Sequence, residues 1–179
     1  MAHPWHDITY GKKAPWEVQA IIEVPKDCSL KYELDKESGL MRLDRALYSA
    51  VYYPGDYGFI PRTYWEDSDP LDILIISNFS TYPGTIVNAR PIGIIDMYDG
   101  SERDDKIIAV HASDPRFKDF RTLKDVPEHM LLEIKHFFET YKQLQKKKVK
   151  VLNFKGVEAA HKCIRRGIKL YEKEFGKKK

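Results

Sequence analysis

The 179-residue sequence is poor in cysteine, in long apolar runs and in net charge. Its two cysteines, Cys28 and Cys163, lie far apart and without metal-ligand spacing. That argues against a disulfide framework and for a reducing compartment. No apolar run approaches the ~20 residues of a membrane span, and the stretch Met1 to His6 lacks the apolar character of a signal peptide. Formal net charge is only +3 although 32% of residues are charged. Such a balance suits a soluble, mixed-charge surface and not a protein held on nucleic acid by bulk positive charge. The basic runs at Lys146 to Lys148 and Lys177 to Lys179 read as solvated segments. A Walker loop and a nucleophile elbow are both missing. A cytoplasmic protein with no membrane and no nucleic-acid partner is expected, and the length suits one domain over 1–179.

What is present divides into two parts. The first two-thirds is strand-like. Val18 to Val24 is an apolar run ended by Pro25, and Lys31 to Leu43 reads as a hairpin around Glu37-Ser38-Gly39. Leu71 to Ser77, Ile86 to Met97 and Lys106 to Ala112 follow, separated by turn signals at Tyr82-Pro83-Gly84 and Asp99-Gly100. Short strands at this spacing predict a small barrel or sandwich. The last third is helical. After Pro127, Met130, Ile134, Phe137, Tyr141 and Leu144 make one apolar stripe, and Gly156 to Phe175 repeats the pattern. Val149 to Phe154 is a further strand candidate. The expected class is mainly β with α.

The most informative stretch is Glu66-Asp67-Ser68-Asp69-Pro70-Leu71-Asp72. Three aspartates sit within six residues, just before an apolar run. Close carboxylates repel unless something positive lies between them, and hard divalent ions prefer oxygen ligands. The same residues also make an ordinary turn, so the cluster alone leaves both readings open. A second acidic turn runs from Asp99 to Lys106, again at a strand end. Glu23 interrupts an apolar strand, where a carboxylate is costly unless paired or bound to a cation. Lys31 and Glu33 share one strand face. Arg45, Tyr53, Tyr57, Lys106, Tyr141 and Lys142 add donors suited to phosphate oxygens. Tyr141 is by default a core residue, and Lys142 would ordinarily snorkel to solvent.

Five segments, in order and at compatible spacing, resemble the soluble family I inorganic pyrophosphatases. They are Lys31 to Lys36, Asp44-Arg45, Tyr53 to Ile60, Asp67 to Ile73, and Phe137 to Lys142. The likeness is close over residues 18–112 and 136–142 and weaker from Lys146 onward. It implies a five-stranded OB-like β-barrel with flanking α-helices. It also implies hydrolysis of pyrophosphate to two orthophosphates by a metal-activated water, with several magnesium ions and manganese as a substitute. By motif, Asp67, Asp72 and Asp104 are similar to ligands of a first ion, with Asp72 shared with a second. Asp99 and Asp104 match a third ion, Glu23 a fourth, and Glu33 an outer group there. Asp69 resembles the general base, with Tyr53 expected beside it. Lys31, Arg45, Lys106, Tyr141 and Lys142 match phosphate-binding positions, and Tyr57 is a further site tyrosine. Asp56 stands where many relatives carry Asn. The resemblance also implies a homohexamer, with His136 at a subunit contact or simply at the surface. His3 and His6 read as ordinary polar residues near a terminus. Two other functions fit parts of the pattern: an oligonucleotide-binding module without catalysis, and a broader metal-dependent phosphohydrolase.

Overall fold

The computed structural model describes residues 2–176; the Lys177 to Lys179 run lies outside them. Five strands close into a ring. They are β1 (Val18–Val24), β4 (Asp56–Phe59), β5 (Asp72–Ile76), β8 (Lys106–His111) and β6 (Ile86–Asp99). Each neighbour in that order is hydrogen-bonded, and β6 returns to β1. All contacts around the ring are antiparallel except β5 with β8, which run parallel. The architecture is therefore the closed, uneven OB-like ring that the sequence resemblance implies. Outside it, β2 (Leu30–Leu34) and β3 (Met41–Ala46) form a separate hairpin. Two further strands, β7 (Glu102–Arg103) and β9 (Val149–Gly156), pair with β6.

The long strand β6 serves so many partners because its register breaks twice, between Pro91 and Gly93 and between Asp96 and Met97. Proline has no amide to donate, so it is tolerated at such a break, and bulges of this kind sharpen local twist. After Asp72, strand β5 is apolar at every position because both of its faces are covered. Leu74 and Ile76 pack in one cluster with Ile134, Phe137 and Phe138 of helix α1 (Glu128–Thr140). Ile73 and Ile75 pack in another with Ala160 and Ile164 of helix α2 (Val157–Phe175).

The structure differs from the sequence expectation at three places. Helix α1 ends at Thr140, and the chain turns through a short 3-10 segment, Gln143–Gln145. The helical phase is lost there, so Leu144 is 64% exposed instead of continuing the stripe. The same turn directs Lys142 inward, where it is buried instead of snorkelling. Strand β4 has almost no period-two signal, since Asp56-Tyr57-Gly58-Phe59 is buried at every position.

Two residues explain β4. Asp56 is fully buried, and its Oδ1 accepts the amides of Lys26 (2.8 Å) and Thr81 (3.0 Å). Burial alone would raise its carboxyl pKa, but the neighbouring His111 ring (3.6 Å) and the hydrogen bonds from Thr81 and Lys26 lower it. At Gly58 a Cβ would lie 1.9 Å from the Ile21 carbonyl oxygen, so only glycine lets β4 approach β1. A Gly58→Ala variant should therefore unfold at clearly lower denaturant. The expected loss is roughly 3 kcal/mol, at the upper end for overpacking, because the obstacle is backbone. An unchanged midpoint would contradict the close approach.

Candidate active site

The loop from Ile60 to Leu71 carries the first acidic cluster and is held rigidly at its base. Buried Thr63 donates from Oγ1 to the Ile60 carbonyl (2.6 Å) and accepts the Leu71 amide (2.9 Å). The Trp65 amide donates to the Asp69 carbonyl at 2.8 Å, and the Asp69 amide to Asp67 Oδ1 at 3.1 Å. Ser68 between them has φ of 67°, a left-handed turn that few side chains adopt.

The parallel strands bring the second acidic turn alongside. Asp72 and Lys106 are direct register partners at the starts of β5 and β8, so their side chains emerge on one face. The Lys106 ammonium, 2% exposed, bridges the carboxylates of Asp72 and Asp104. Tyr57 reaches across from β4 and donates its hydroxyl to Asp72 Oδ2 at 2.5 Å. Lys142, just beyond α1, pairs with Asp99, and Lys31 pairs with Glu33 on the hairpin. Tyr141 is stacked on Phe137 with ring centroids 5.1 Å apart.

These groups line two adjoining hollows of about 200 and 210 Å³, which share Lys31, Glu33, Tyr57, Asp69 and Asp72. Glu23 lies in the first. Asp67, Asp99, Asp104, Lys106, Tyr141 and Lys142 lie in the second. Arg45 lines neither hollow. It is opposite Lys31 in the hairpin and paired with Asp44, while its buried Nε has no hydrogen-bond partner among the described residues.

Tyr53, expected beside Asp69, lines neither hollow. It is almost fully buried against Tyr57 (5.2 Å) and Phe137 (4.7 Å), and Tyr57 is the tyrosine that shares both hollows with Asp69. The two tyrosines have the same parity only in number; Tyr57 lies in β4, whereas Tyr53 precedes it in the loop that packs on α1. His136 faces a separate cleft with Tyr52 and Leu132. His3 and His6 are engaged locally, by the Lys36 carbonyl (3.0 Å) and the Tyr171 hydroxyl (2.7 Å).

The sequence matches the family described as Inorganic pyrophosphatase over residues 20–172. The chain belongs to the inorganic pyrophosphatase family. It is 47% identical over 174 residues to soluble inorganic pyrophosphatase 2 of Chlamydomonas reinhardtii, covering 97% of this chain and 91% of that one. Identity to soluble inorganic pyrophosphatase 3 of Arabidopsis thaliana is 49% over 170 residues, covering 95% of this chain and 79% of that one. The crystal structure of inorganic pyrophosphatase from Thermus thermophilus superposes with a TM-score of 0.92 at 43% identity, over 96% of this chain and 99% of that one.

The electrostatics of this pyrophosphatase-family site are dominated by carboxylates. In the second hollow, Glu33, Asp67, Asp69, Asp72, Asp99, Glu102 and Asp104 face only Lys31, Lys106 and Lys142 as cations. Burial, then the charges of Asp72 and Asp104, push the Asp67 carboxyl up to about 7. Burial and Asp72 push Glu23 up to about 8, although Glu23 Oε1 accepts the Leu34 amide at 2.8 Å. Burial also raises Asp72. Asp104 goes the other way: burial opposes its charge, but the Lys106 ammonium, Lys142 and a hydrogen bond with Asp67 together lower the pKa. Burial lowers Lys142 in spite of Asp99.

An all-oxygen donor set with an unbalanced negative charge fits hard divalent cations. Among the described residues, no three acidic or histidine side chains surround one point in ligand geometry. Lys106 and Lys142 hold the carboxylates instead. The two site residues that sequence reading missed are Lys36 and Glu102. Lys36 pairs with Asp69 and donates to the Ser68 carbonyl at 3.3 Å. Its only signal was membership of the Lys31 to Lys36 segment.

Glu23 provides a pH test. A folded-state pKa of about 8 against an ordinary 4.5 means that the protein binds this proton more tightly when folded. The stabilisation is complete below pH 4.5 and is lost as pH rises through 8. In chelator, the melting temperature of the wild type should fall between pH 5 and 8.5, and Glu23→Gln should flatten that fall. Parallel pH profiles would show that Glu23 is not held protonated.

Proposed function

We propose that the chain hydrolyses inorganic pyrophosphate to two orthophosphates, with magnesium ions in the acidic hollow and manganese as a substitute. Family membership carries the enzyme class: the chain is an inorganic diphosphatase. The observation that best supports the magnesium-dependent reading is the excess of carboxylates facing a basic edge. A polyanion would be repelled from this hollow unless divalent cations occupied it first. The same excess disfavours an oligonucleotide-binding module.

Bound divalent ions would neutralise the phosphoryl oxygens and acidify the attacking water. Asp67, Asp72, Asp99 and Asp104 would hold them, with Glu23 and Glu33 serving the adjoining hollow. Asp69 is the general base. At 48% side-chain exposure, it stands at the mouth where water has access. Lys36 keeps its carboxylate in place, and its pairing in the ligand-free state must loosen for proton uptake. Lys31, Arg45 and Lys142 grip the phosphates, and the partnerless Arg45 Nε is a donor ready for a phosphoryl oxygen. Lys106 holds Asp72 and Asp104 apart and Tyr57 orients Asp72; Tyr141 contributes its hydroxyl to the substrate, and Tyr53 supports Tyr57 from behind. No covalent enzyme intermediate is required.

The protein is further proposed to be cytoplasmic, consistent with its two free cysteines, and to assemble as a homohexamer. The cleft of about 600 Å³ beside His136, with exposed Tyr52 and Leu132, is the face we assign to a subunit contact.

Asp69→Asn should leave magnesium binding intact and lower kcat roughly 10²–10⁴-fold, the usual cost of losing a positioned base. Near-normal turnover would refute its role. Asp72→Ala should weaken magnesium binding at least roughly tenfold, measured by calorimetric titration of substrate-free protein. Orthophosphate release from pyrophosphate should stop in chelator and should greatly exceed release from ATP; equal rates on both substrates would favour the broader phosphohydrolase.

A further inference from the structure

Behind the acidic hollow lies another of about 310 Å³, between β6, β9 and α2. The segment Glu102 to Lys106 is the wall between the two. Its residues alternate. Glu102, Asp104 and Lys106 line the front hollow, while Arg103 and Asp105 line the rear one. Lys106 is fixed at the start of β8 by its pairing with Asp72 of β5 and Ile95 of β6, but the backbone before it is lightly tied. Strand β7 is two residues long and makes only the register pairs Tyr98 with Arg103 and Asp99 with Glu102. Beyond it, the Asp104 amide donates to the Met97 carbonyl at 3.0 Å.

The rear face supplies the missing restraint. Arg103 Nε donates to Asp105 Oδ2 at 2.6 Å and Nη2 to Asp96 Oδ1 at 3.0 Å. Asp96 is also paired with Lys155 of β9. Asp105 Oδ1 accepts the Met97 amide at 3.3 Å, where the β6–β9 register breaks. One planar guanidinium thus ties the wall to β6. The carboxylates it joins are almost fully buried, while the Arg103 side chain itself is 31% exposed. A lysine could reach both carboxylates, but it has no rigid planar fork to fix the angle between them.

We propose that Arg103 is a positioning residue: by clamping Asp105 and Asp96 behind the wall, it sets the direction in which Asp104 enters the front hollow. Because side chains alternate along an extended segment, any shift that frees Asp105 swings Asp104 as well. The inference rests on the reading that Asp104 holds a divalent cation, and it assigns the fidelity of that holding to a residue that touches neither metal nor substrate.

The test is magnesium binding to substrate-free protein by calorimetric titration, with metal-free melting temperature as a second readout. Arg103→Lys keeps a cation beside the buried carboxylates but loses the fork; it should bind magnesium roughly tenfold more weakly, as for other groups that orient a ligand. The double variant Arg103→Ala, Asp105→Ala removes the clamp without leaving Asp105 buried and unpaired. It should recover melting temperature relative to Arg103→Ala alone, yet bind magnesium as weakly as the lysine variant. With kcat measured at saturating magnesium, the loss should appear mainly in the magnesium requirement. If the double variant binds magnesium like the wild type, Arg103 serves stability alone and the inference fails. Asp104→Asn is the control. If it leaves magnesium binding unchanged, the ligand reading itself is wrong, and the inference falls with it for that separate reason.

Discussion

Everything at the active face is organised around one buried ammonium group. Lys106 lies at the start of β8, its register partner Asp72 lies at the start of β5, and Asp104 is two residues back along the chain. Taking such charges out of water is expensive, and well-packed apolar side chains of similar volume would be at least as stable. Removing one partner instead would cost about 3–5 kcal/mol, because the others would stay buried and unpaired. A charge set kept at that cost is kept for chemistry. Here it holds two carboxylates open and side by side, in a surrounding that is otherwise strongly acidic.

The barrel explains why this arrangement is available. Its one parallel contact makes both acidic loops arrive at the same end of the ring. The hairpin β2–β3 then leans over that end with Lys31, Glu33 and Lys36, and Lys142 arrives from the end of α1. Carboxylates come mainly from the barrel, and the cations other than Lys106 come from the hairpin and the helix end. The two sets of charges therefore sit on different supports.

Much of this was legible in the chain. The apolar runs of β1, β5, β6 and β8 are long enough to declare themselves, and the acidic turns are conspicuous because Asp67, Asp72, Asp99 and Asp104 abut those runs. Glu23 was legible for the same reason, as a charge in an apolar strand. Strand β4 was not, because Asp56 and Gly58 break the expected pattern for reasons that lie in β1 and the 81 turn. The order of Tyr53 and Tyr57 around Asp69 depends on strand register, which residue type does not encode. Lys142 turned inward because α1 stops one residue before Tyr141. Lys36 and Glu102 carry no mark that separates them from ordinary surface charges. The alternation that makes Arg103 and Asp105 a rear brace appears only once both hollows are seen.

The parallel pairing of β5 with β8 also bears on the order in which the molecule assembles. Asp72 and Lys106 are 34 positions apart, and the chain must lay down the whole of β6 between them. Hairpins such as β2–β3 close over short loops, whereas so distant a contact has a larger closure entropy to overcome. By this measure the Asp72–Lys106 pair is costlier to close than the β2–β3 hairpin. A half-formed barrel does not bring the carboxylates of the two acidic turns together, so a divalent ion bound between them would stabilise only chains that have already closed the ring.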